Sequence, residues 1–482
     1  MISPLDFSVI IVYLLAVTLF GMKFRHGDRS LKNYFLGSDT VPWWAISLSI
    51  VAAETSTLTL VSVPGIAYQG NFSFLQLALG YICGRVVISV LLIPQYFRRE
   101  IYTAYEWIEH RFGKKLQKIT AGVFLLTRAA AEGVRVFAVS IVMSIAFNMS
   151  GSATNDAIAI GGVILLTLLY TYHGGLNAVI WTDVLQIGIY TSASFVGLLT
   201  VIHLIPSGWG GFFHTASLAG KFQVFNFSFG FYQPYTIFAG LIGGTFLTTA
   251  SHGTDQLLVQ RLLATRSERK ATLALISSGF LVFIQFAFYL AIGAALFVFD
   301  QTASRSGGPV AAPVRSDRIF PEFIVHHMPQ GIRGLLIAAV LAAAMSNLSA
   351  ALNSLSSTSV MDFYRNWFPE SDEKKLVQLS HRTTIAWAFV LFGLAMLSRH
   401  GGRVVETGLA IASVTYGGLL GVFLVGRLSQ KVSERSAIIG MVIGLLVNLG
   451  VWLWTSIAFP WYVPLGSLTT FAIAHLCETD VF

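Results

Sequence analysis

Long apolar runs separated by short polar loops set the pattern of this chain. Runs of spanning length fall at about 5–22, 43–67, 72–95, 119–148, 156–172, 178–204, 232–250, 271–298, 334–359, 383–398, 406–426, 435–456 and 458–477. Each is close to the ~20 residues a helix needs to cross a hydrocarbon core. Thirteen such runs predict an all-α integral membrane protein, a single membrane domain over residues 1–482. The first run starts almost at Met1 and is followed by a basic loop and not by a small-residue cleavage site, so it reads as a retained helix. The longest stretches between runs, 205–231 and 299–333, contain Gly, Pro and Ser and suit lids, re-entrant pieces or plain connections.

Composition supports the membrane reading. Hydrophobic residues make up 55% of the chain and charged residues 11%, against about 25% charged in a soluble domain. The net charge of +8 does not point to nucleic acid, because Lys and Arg sit in short loops between apolar runs. Loops after the first, third, seventh, ninth and eleventh runs hold 21 of them, from Lys23, Arg25, Arg29 and Lys32 through Arg98, Arg111, Arg261, Arg266, Arg365 and Arg382 to Arg427, Lys431 and Arg435. The alternate loops hold 7: Lys221, Arg305, Arg315, Arg318, Arg333, Arg399 and Arg403. Cytoplasmic loops are the richer in Lys and Arg. The chain is therefore expected in the cytoplasmic (inner) membrane with its N terminus outside and its C terminus in the cytoplasm. Cys83 and Cys477 lie far apart in apolar runs and give no disulfide framework or metal spacing. His26, His110, His173 and His203 are scattered over loops and helix ends.

Polar residues inside the runs carry the chemistry. A lone charge at mid-bilayer costs at least about 2.5–3.5 kcal/mol, so Glu54, Arg85, Arg128, Glu132, Arg135 and Asp183 must face the bundle interior. Arg128, Glu132 and Arg135 share one helical face by their spacing. Arg128 and Glu132 read as an internal ion pair. Arg135 is then left short of counter-charge and suits a carboxylate ligand. The second run, SIVAAETSTLTLVSVPG, packs Glu54, Thr55, Ser56, Thr57 and Thr59 before Pro64 and Gly65. Proline weakens the helix ladder, and an interrupted helix frees carbonyls for a cation and a solute; the plain alternative is a proline kink with satisfied hydroxyls. In the ninth run, Ser346, Ser349 and Asn353 form one stripe among alanines, which serves either as oxygen ligands or as a small-residue packing face. The seventh run carries Gly240, Gly243, Gly244, Thr245, Thr248 and Thr249 five runs after the second, as expected of paired interrupted helices in two inverted halves. Phosphate-loop, dinucleotide, paired-His and GxSxG patterns are missing, and no catalytic residue is expected.

Five segments, in order along nearly the whole chain, resemble the sodium:solute symporter family: NYFLGSDTVPWW at 33–44, TAYEWIEHRFG at 103–113, GGLNAVIWTDVLQ at 174–186, TDQLLVQRLLAT at 254–265 and LNSLSSTSVMDFY at 352–364. The resemblance implies a core of two inverted five-helix repeats over 40–428, a leading helix and loop at 1–35 and two closing helices at 429–482. It implies sodium as the coupling ion, held by backbone carbonyls of Ala52 and Thr55 with Ala343, Ser346 and Asn347. The family usually has Ser where this chain has Asn347. A candidate second sodium would use Asp183, Ser346 and Ser349, but the family's next hydroxyl is Ala350 here. Glu54 is placed like an acid needed for sodium use in proline-type members. Ser56, Thr59 and Arg135 resemble the residues that hold the carboxylate in bacterial sialic acid members. The lysine of the sugar branch is missing from the eighth run, SSGFLVFIQFAF. The expected function is thus symport of sodium with a small polar solute bearing a carboxylate (sialic acid, an amino acid or an organic acid) by a monomer in the bilayer. One charge moving through 100 mV gives about 2.3 kcal/mol and a tenfold sodium gradient about 1.4 kcal/mol, so one sodium supports roughly several-hundredfold accumulation of a neutral solute. A carboxylate would cancel the electrical part unless a second cation came with it. Rival readings are proton coupling through Glu54 or Glu132, a sugar or polyol solute, a membrane-embedded lipid enzyme, for which no clustered acid or metal motif exists, and a sensor or channel, for which no signalling domain is present.

Overall fold

A computed structural model describes residues 2–23, 31–37, 41–147, 152–305, 318–400 and 404–479. His26, Arg25, Arg29, Arg315 and Arg403 lie outside the described residues. The main helices are α1 Pro4–Met22, α2 Trp43–Glu54, α3 Thr57–Gln69, α4 Leu75–Leu91, α5 Ala104–Arg111, α6 Lys114–Ala146, α7 Ala153–Leu204, α8 Gly244–Gly253, α9 Gln256–Leu263, α10 Glu268–Arg305, α11 Ile332–Thr358, α12 Glu373–Leu397, α13 Val404–Leu428, α14 Glu434–Trp454 and α15 Tyr462–Thr479. Among the described residues there are no strands. Among the described residues nine helices are long and apolar enough to cross a membrane, or ten if the bent pair α2–α3 is one span. The other three of the thirteen expected runs fall on the short helix Ala153–Leu169, on α8 and on α15. The runs at 156–172 and 178–204 join in α7, broken only at Gly175 (φ 53°, ψ −155°). A side chain there would meet the Tyr34 carbonyl at 2.6 Å.

The ninth run, in α11, is the axis of the bundle. Every residue from Leu336 to Thr358 is buried, which suits a helix apolar or small on all sides. It packs along α7 and against α6, α1, α2 and α3. Asp6 of α1 fixes its start: Oδ1 accepts from the N–H groups of Gly331 (2.7 Å) and Gly334 (3.0 Å), and Oδ2 pairs with Arg333 (2.8 Å). A carboxylate at a helix N-terminus is the favoured arrangement.

The second run is broken, but not at Pro64. Pro64 lies inside α3, where Gly293 of α10 sits so close that a Cβ would come within 1.9 Å of its carbonyl oxygen. The break is at Thr55 (φ −78°, ψ 94°), and the two halves bend by 64°. Hydroxyl side chains offer the backbone local partners there: Ser56 N–H bonds to Thr59 Oγ1 at 3.3 Å. The seventh run carries a π-helical turn, Ala239–Gly243, into α8 and then breaks between Gly253 and Gln256. The following segment, expected as a loop, is the buried helix α9, whose residues Gln256–Leu263 are all buried. Arg261 is therefore not a loop cation.

Candidate cation and solute site

The break in the second run releases carbonyls. In a continuous helix Ser56 N–H would close on the Ala52 carbonyl; its bond to Thr59 Oγ1 leaves that carbonyl outside the ladder. Ala52 and Thr55 lie at the end of α2, which packs against α11; the Thr55 carbonyl meets Asn347 there, with Ala343 and Ser346 in the preceding turn of α11. All five are buried. Asn347 departs from a simple ligand role. Its Nδ2 donates to the Thr55 carbonyl at 3.2 Å and its Oδ1 accepts from Arg135 Nη1 at 3.0 Å. The carbonyl can only accept and the guanidinium can only donate, so these neighbours fix the amide orientation. The amide thus links the released carbonyl to Arg135.

Asp183 is deeply engaged. Ser346 Oγ donates to Oδ1 (2.5 Å), and Ser49 Oγ (2.5 Å) and Arg261 Nη2 (3.0 Å) donate to Oδ2. Arg261 also donates to Ser49 Oγ and to the Leu257 carbonyl, both at 2.8 Å. Ser349 Oγ is turned to the Ser346 carbonyl at 2.9 Å. The residues expected for a second sodium are together, but the Asp183 charge is already matched by Arg261, which the sequence had placed in a loop.

A cleft beside this region has about 1030 Å³ not filled by protein. Its wall includes Ser56, Thr59 and Arg135 together, with Glu54, Arg128 and His252. The aromatic side chains of Phe74, Tyr81 and Phe286 cover its apolar part, the mix usual for a small-molecule site. The charged residues pair across helices. Arg128 Nη2 binds Asp255 Oδ2 at 2.5 Å and Tyr416 donates to the same oxygen at 2.6 Å. The ion pair expected between Arg128 and Glu132 does not form, because Asp255 at the break of the seventh run reaches Arg128 first. Glu54 instead pairs with Arg85 Nη2 at 2.5 Å and lies 3.4 Å from His252 Nε2. Arg85 carries only donors, so His252 Nε2, 3.0 Å away, accepts from it. Arg135 differs from these arginines: its nearest carboxylate, Glu132, is 3.6 Å away, and its side chain keeps 23% exposure. It stands beside Ser56, at the N-terminal and electropositive end of α3.

His252, Asp255, Arg261, Gln285 and Tyr416 were not singled out from the sequence as site residues. Gln285 accepts from Thr55 Oγ1 at 2.6 Å. The available signal was their cost: a His, an Asp and a Gln inside apolar or helical segments need partners.

Known proteins bear on this geometry. A sequence profile of the sodium:solute symporter family matches residues 34–444. The sodium/sialic acid symporter SiaT of Proteus mirabilis is 26% identical over 468 residues, 96% of this chain and 93% of that protein. The sodium/glucose cotransporter of Vibrio parahaemolyticus is 26% identical over 92% of this chain and 83% of its own length. A solved structure of a Na+-coupled sialic acid symporter, substrate-bound and outward-open, superimposes with a TM-score of 0.89 over 100% of this chain and 98% of that one, at 26% identity.

Proposed function

The chain belongs to the sodium:solute symporter family, and from that premise we propose that it imports a small carboxylate-bearing solute. It is a multi-pass, sodium-coupled symporter with the inverted-repeat transporter fold, not an enzyme. The carboxylate reading rests above all on Arg135, whose guanidinium borders the cleft beside Ser56 and Thr59 without a carboxylate of any described residue at hydrogen-bond distance. An arginine at a helix N-terminus recognises a carboxylate in bidentate fashion. The relation to sialic acid symporters supports the same chemistry.

In this reading sodium sits between the Ala52 and Thr55 carbonyls and Ala343, Ser346 and Asn347. It ties the α2–α3 break to α11 and favours an outward-open arrangement. Solute binding against Ser56, Thr59 and Arg135 favours closure, and rocking of the helix groups opens the site inward. The chain acts as a monomer in the cytoplasmic membrane, N terminus outside and C terminus inside, with helices 1–35 leading, 40–428 forming the repeat core and 429–482 closing it. The test is a thermal-shift screen of the purified protein against small carboxylates, amino acids and sugars, with sodium or choline, followed by uptake into proteoliposomes. Carboxylates should stabilise only with sodium, and Arg135→Ala should abolish the effect. Stabilisation by sugars alone, or uptake driven by a pH gradient and indifferent to sodium, would overturn the reading.

A further inference from the structure

Glu132 lies in α6 with a side chain only 1% exposed, yet neither carboxylate oxygen accepts a hydrogen bond from any described residue. Buried polar groups are normally hydrogen-bonded. Among the described residues the one charge within 4 Å of it is Arg135, whose Nη1 stands 3.6 Å from Oε2, beyond hydrogen-bond range. Glu132 faces a narrow gap that it shares with Ser56, Thr57, Arg135, Ala344 and Asn347 and that has no room for a water molecule. The Thr57 hydroxyl, 1% exposed, is also without a partner. From these observations we infer that Glu132 and Thr57 form a second sodium site, which opens when Arg135 turns to the solute. The inference rests on the carboxylate-solute reading above.

Arg135 borders both the solute cleft and this gap. It balances Glu132 and donates to Asn347 Oδ1 at 3.0 Å. A solute carboxylate in the cleft competes for the same guanidinium. Once the solute holds it, Glu132 is a buried charge with no counter-charge within ion-pair distance, since Arg128 is taken up by Asp255, which is strongly unfavourable. A cation on Glu132 removes that penalty. We take sodium over a proton because the two Glu132 oxygens and the Thr57 hydroxyl oxygen, all without partners, line one gap, and a hard cation gathers several oxygens. Asp183 does not take this role, since Arg261 already matches its charge. A monovalent anion with two sodium ions carries one positive charge inward, so the membrane potential drives its uptake.

The test needs no solute. Melting of the full chain in detergent is followed as sodium chloride replaces choline chloride. Arg135→Gln leaves Glu132 uncompensated and should lower the half-saturating sodium concentration roughly tenfold. Arg135→Ala serves if that variant does not fold. Adding Glu132→Gln should abolish the gain. Identical sodium titrations for all three proteins overturn the inference. So does a gain in Arg135→Gln that follows acidification from about pH 8 to 5 at fixed salt and not sodium, which would make Glu132 a proton carrier; the other charges around it are Arg128 and Asp255. The carboxylate reading fails separately, if N-acetylneuraminate and the other small carboxylates bind Arg135→Gln as they bind the wild type.

Discussion

Removing the charge on Asp183 tests whether that residue holds sodium or holds the fold. Asp183→Asn keeps the shape and removes the charge, leaving Arg261 buried without a counter-ion. The three donors around the carboxylate lie at 2.5, 2.5 and 3.0 Å, and the Asp183 and Arg261 side chains are 0% and 1% exposed. Breaking a buried pair by removing one partner costs about 3–5 kcal/mol, whereas replacing both is often close to neutral. Arg261→Met should therefore lower the melting temperature by on the order of 5 °C, and Asp183→Asn by a comparable amount. The double variant should recover much of the loss. Thermal melting in detergent, arranged as a double-mutant cycle, reads the coupling. Sodium titration of the same proteins gives the second half of the test. Because Arg261 already balances Asp183, half-saturating sodium in the double variant should stay within about threefold of wild type. Two results would refute the reasoning. A double variant no more stable than Arg261→Met would show that the pair is not coupled. A rise in half-saturating sodium of about tenfold or more, with melting unchanged, would make Asp183 a sodium ligand.

Asn347→Ser restores the hydroxyl usual in the family and removes the amide bridge between Thr55 and Arg135. Losing a donor from the Thr55 carbonyl, at about 0.5–1.5 kcal/mol, should tighten sodium binding up to about tenfold, and sodium-dependent melting that does not change would deny the amide this role. Burial pushes the Glu106 carboxyl up from 4.5 to about 7, despite the Tyr102 N–H and Arg365 nearby. The folded chain then binds that proton more tightly than the unfolded chain, so its contribution to stability is full below about pH 4.5 and is lost as pH rises through about 7. Relative to Glu106→Gln, wild type should lose up to about 3 kcal/mol across that window, and parallel melting curves for the two proteins would refute this. Lys221 donates to the carbonyls of Ala67, Tyr68 and Gly70 at 3.2, 2.6 and 2.9 Å, closing the C-terminal end of α3, and lies 3.8 Å from the Phe297 ring centre. Lys221→Met should cost about 2–3 kcal/mol and speed hydrogen exchange at the end of α3, and unchanged exchange there would refute the capping role.

Hydrophobic length made the membrane architecture legible, because the bilayer demands it of each span without regard to neighbours. Which partner a buried charge takes was not legible in the same way. The spacing of Arg128 and Glu132 places them on one face of α6, but Asp255 comes from another segment of the chain, 127 residues away. Spacing reports what shares a helix face and is silent on what stands opposite. The break in the second run was expected from Pro64, the strongest single helix breaker. The chain breaks at Thr55 instead, since hydroxyls there replace the lost backbone bonds while Pro64 packs on Gly293. The residues proposed for the solute, Ser56, Thr59 and Arg135, do share one cleft, and that grouping came from family resemblance and not from periodicity.

Arg261 shows why segment length alone misplaces a cation. An eight-residue helix is too short to register as a span, so from the sequence its polar residues read as loop. In α9 they do internal work: Gln260 donates to the Phe35 carbonyl at 2.6 Å, Gln256 accepts from Ala104 N–H at 2.8 Å, and Arg261 holds Asp183. The orientation proposal survives this change. Without Arg261 the two sets of loops hold 20 and 7 Lys and Arg. Within the smaller set, Arg333 is paired with Asp6, Arg399 with Asp156, and Lys221 caps α3. Those three cations have structural reasons to lie where they do, and the remaining asymmetry in loop charge is steeper than the raw count. An epitope placed after residue 479 that reacts from outside intact cells would reverse the orientation. It would leave the Arg135–Glu132 geometry untouched, because that depends on the packing of α3, α6 and α11 and not on which way the bundle faces.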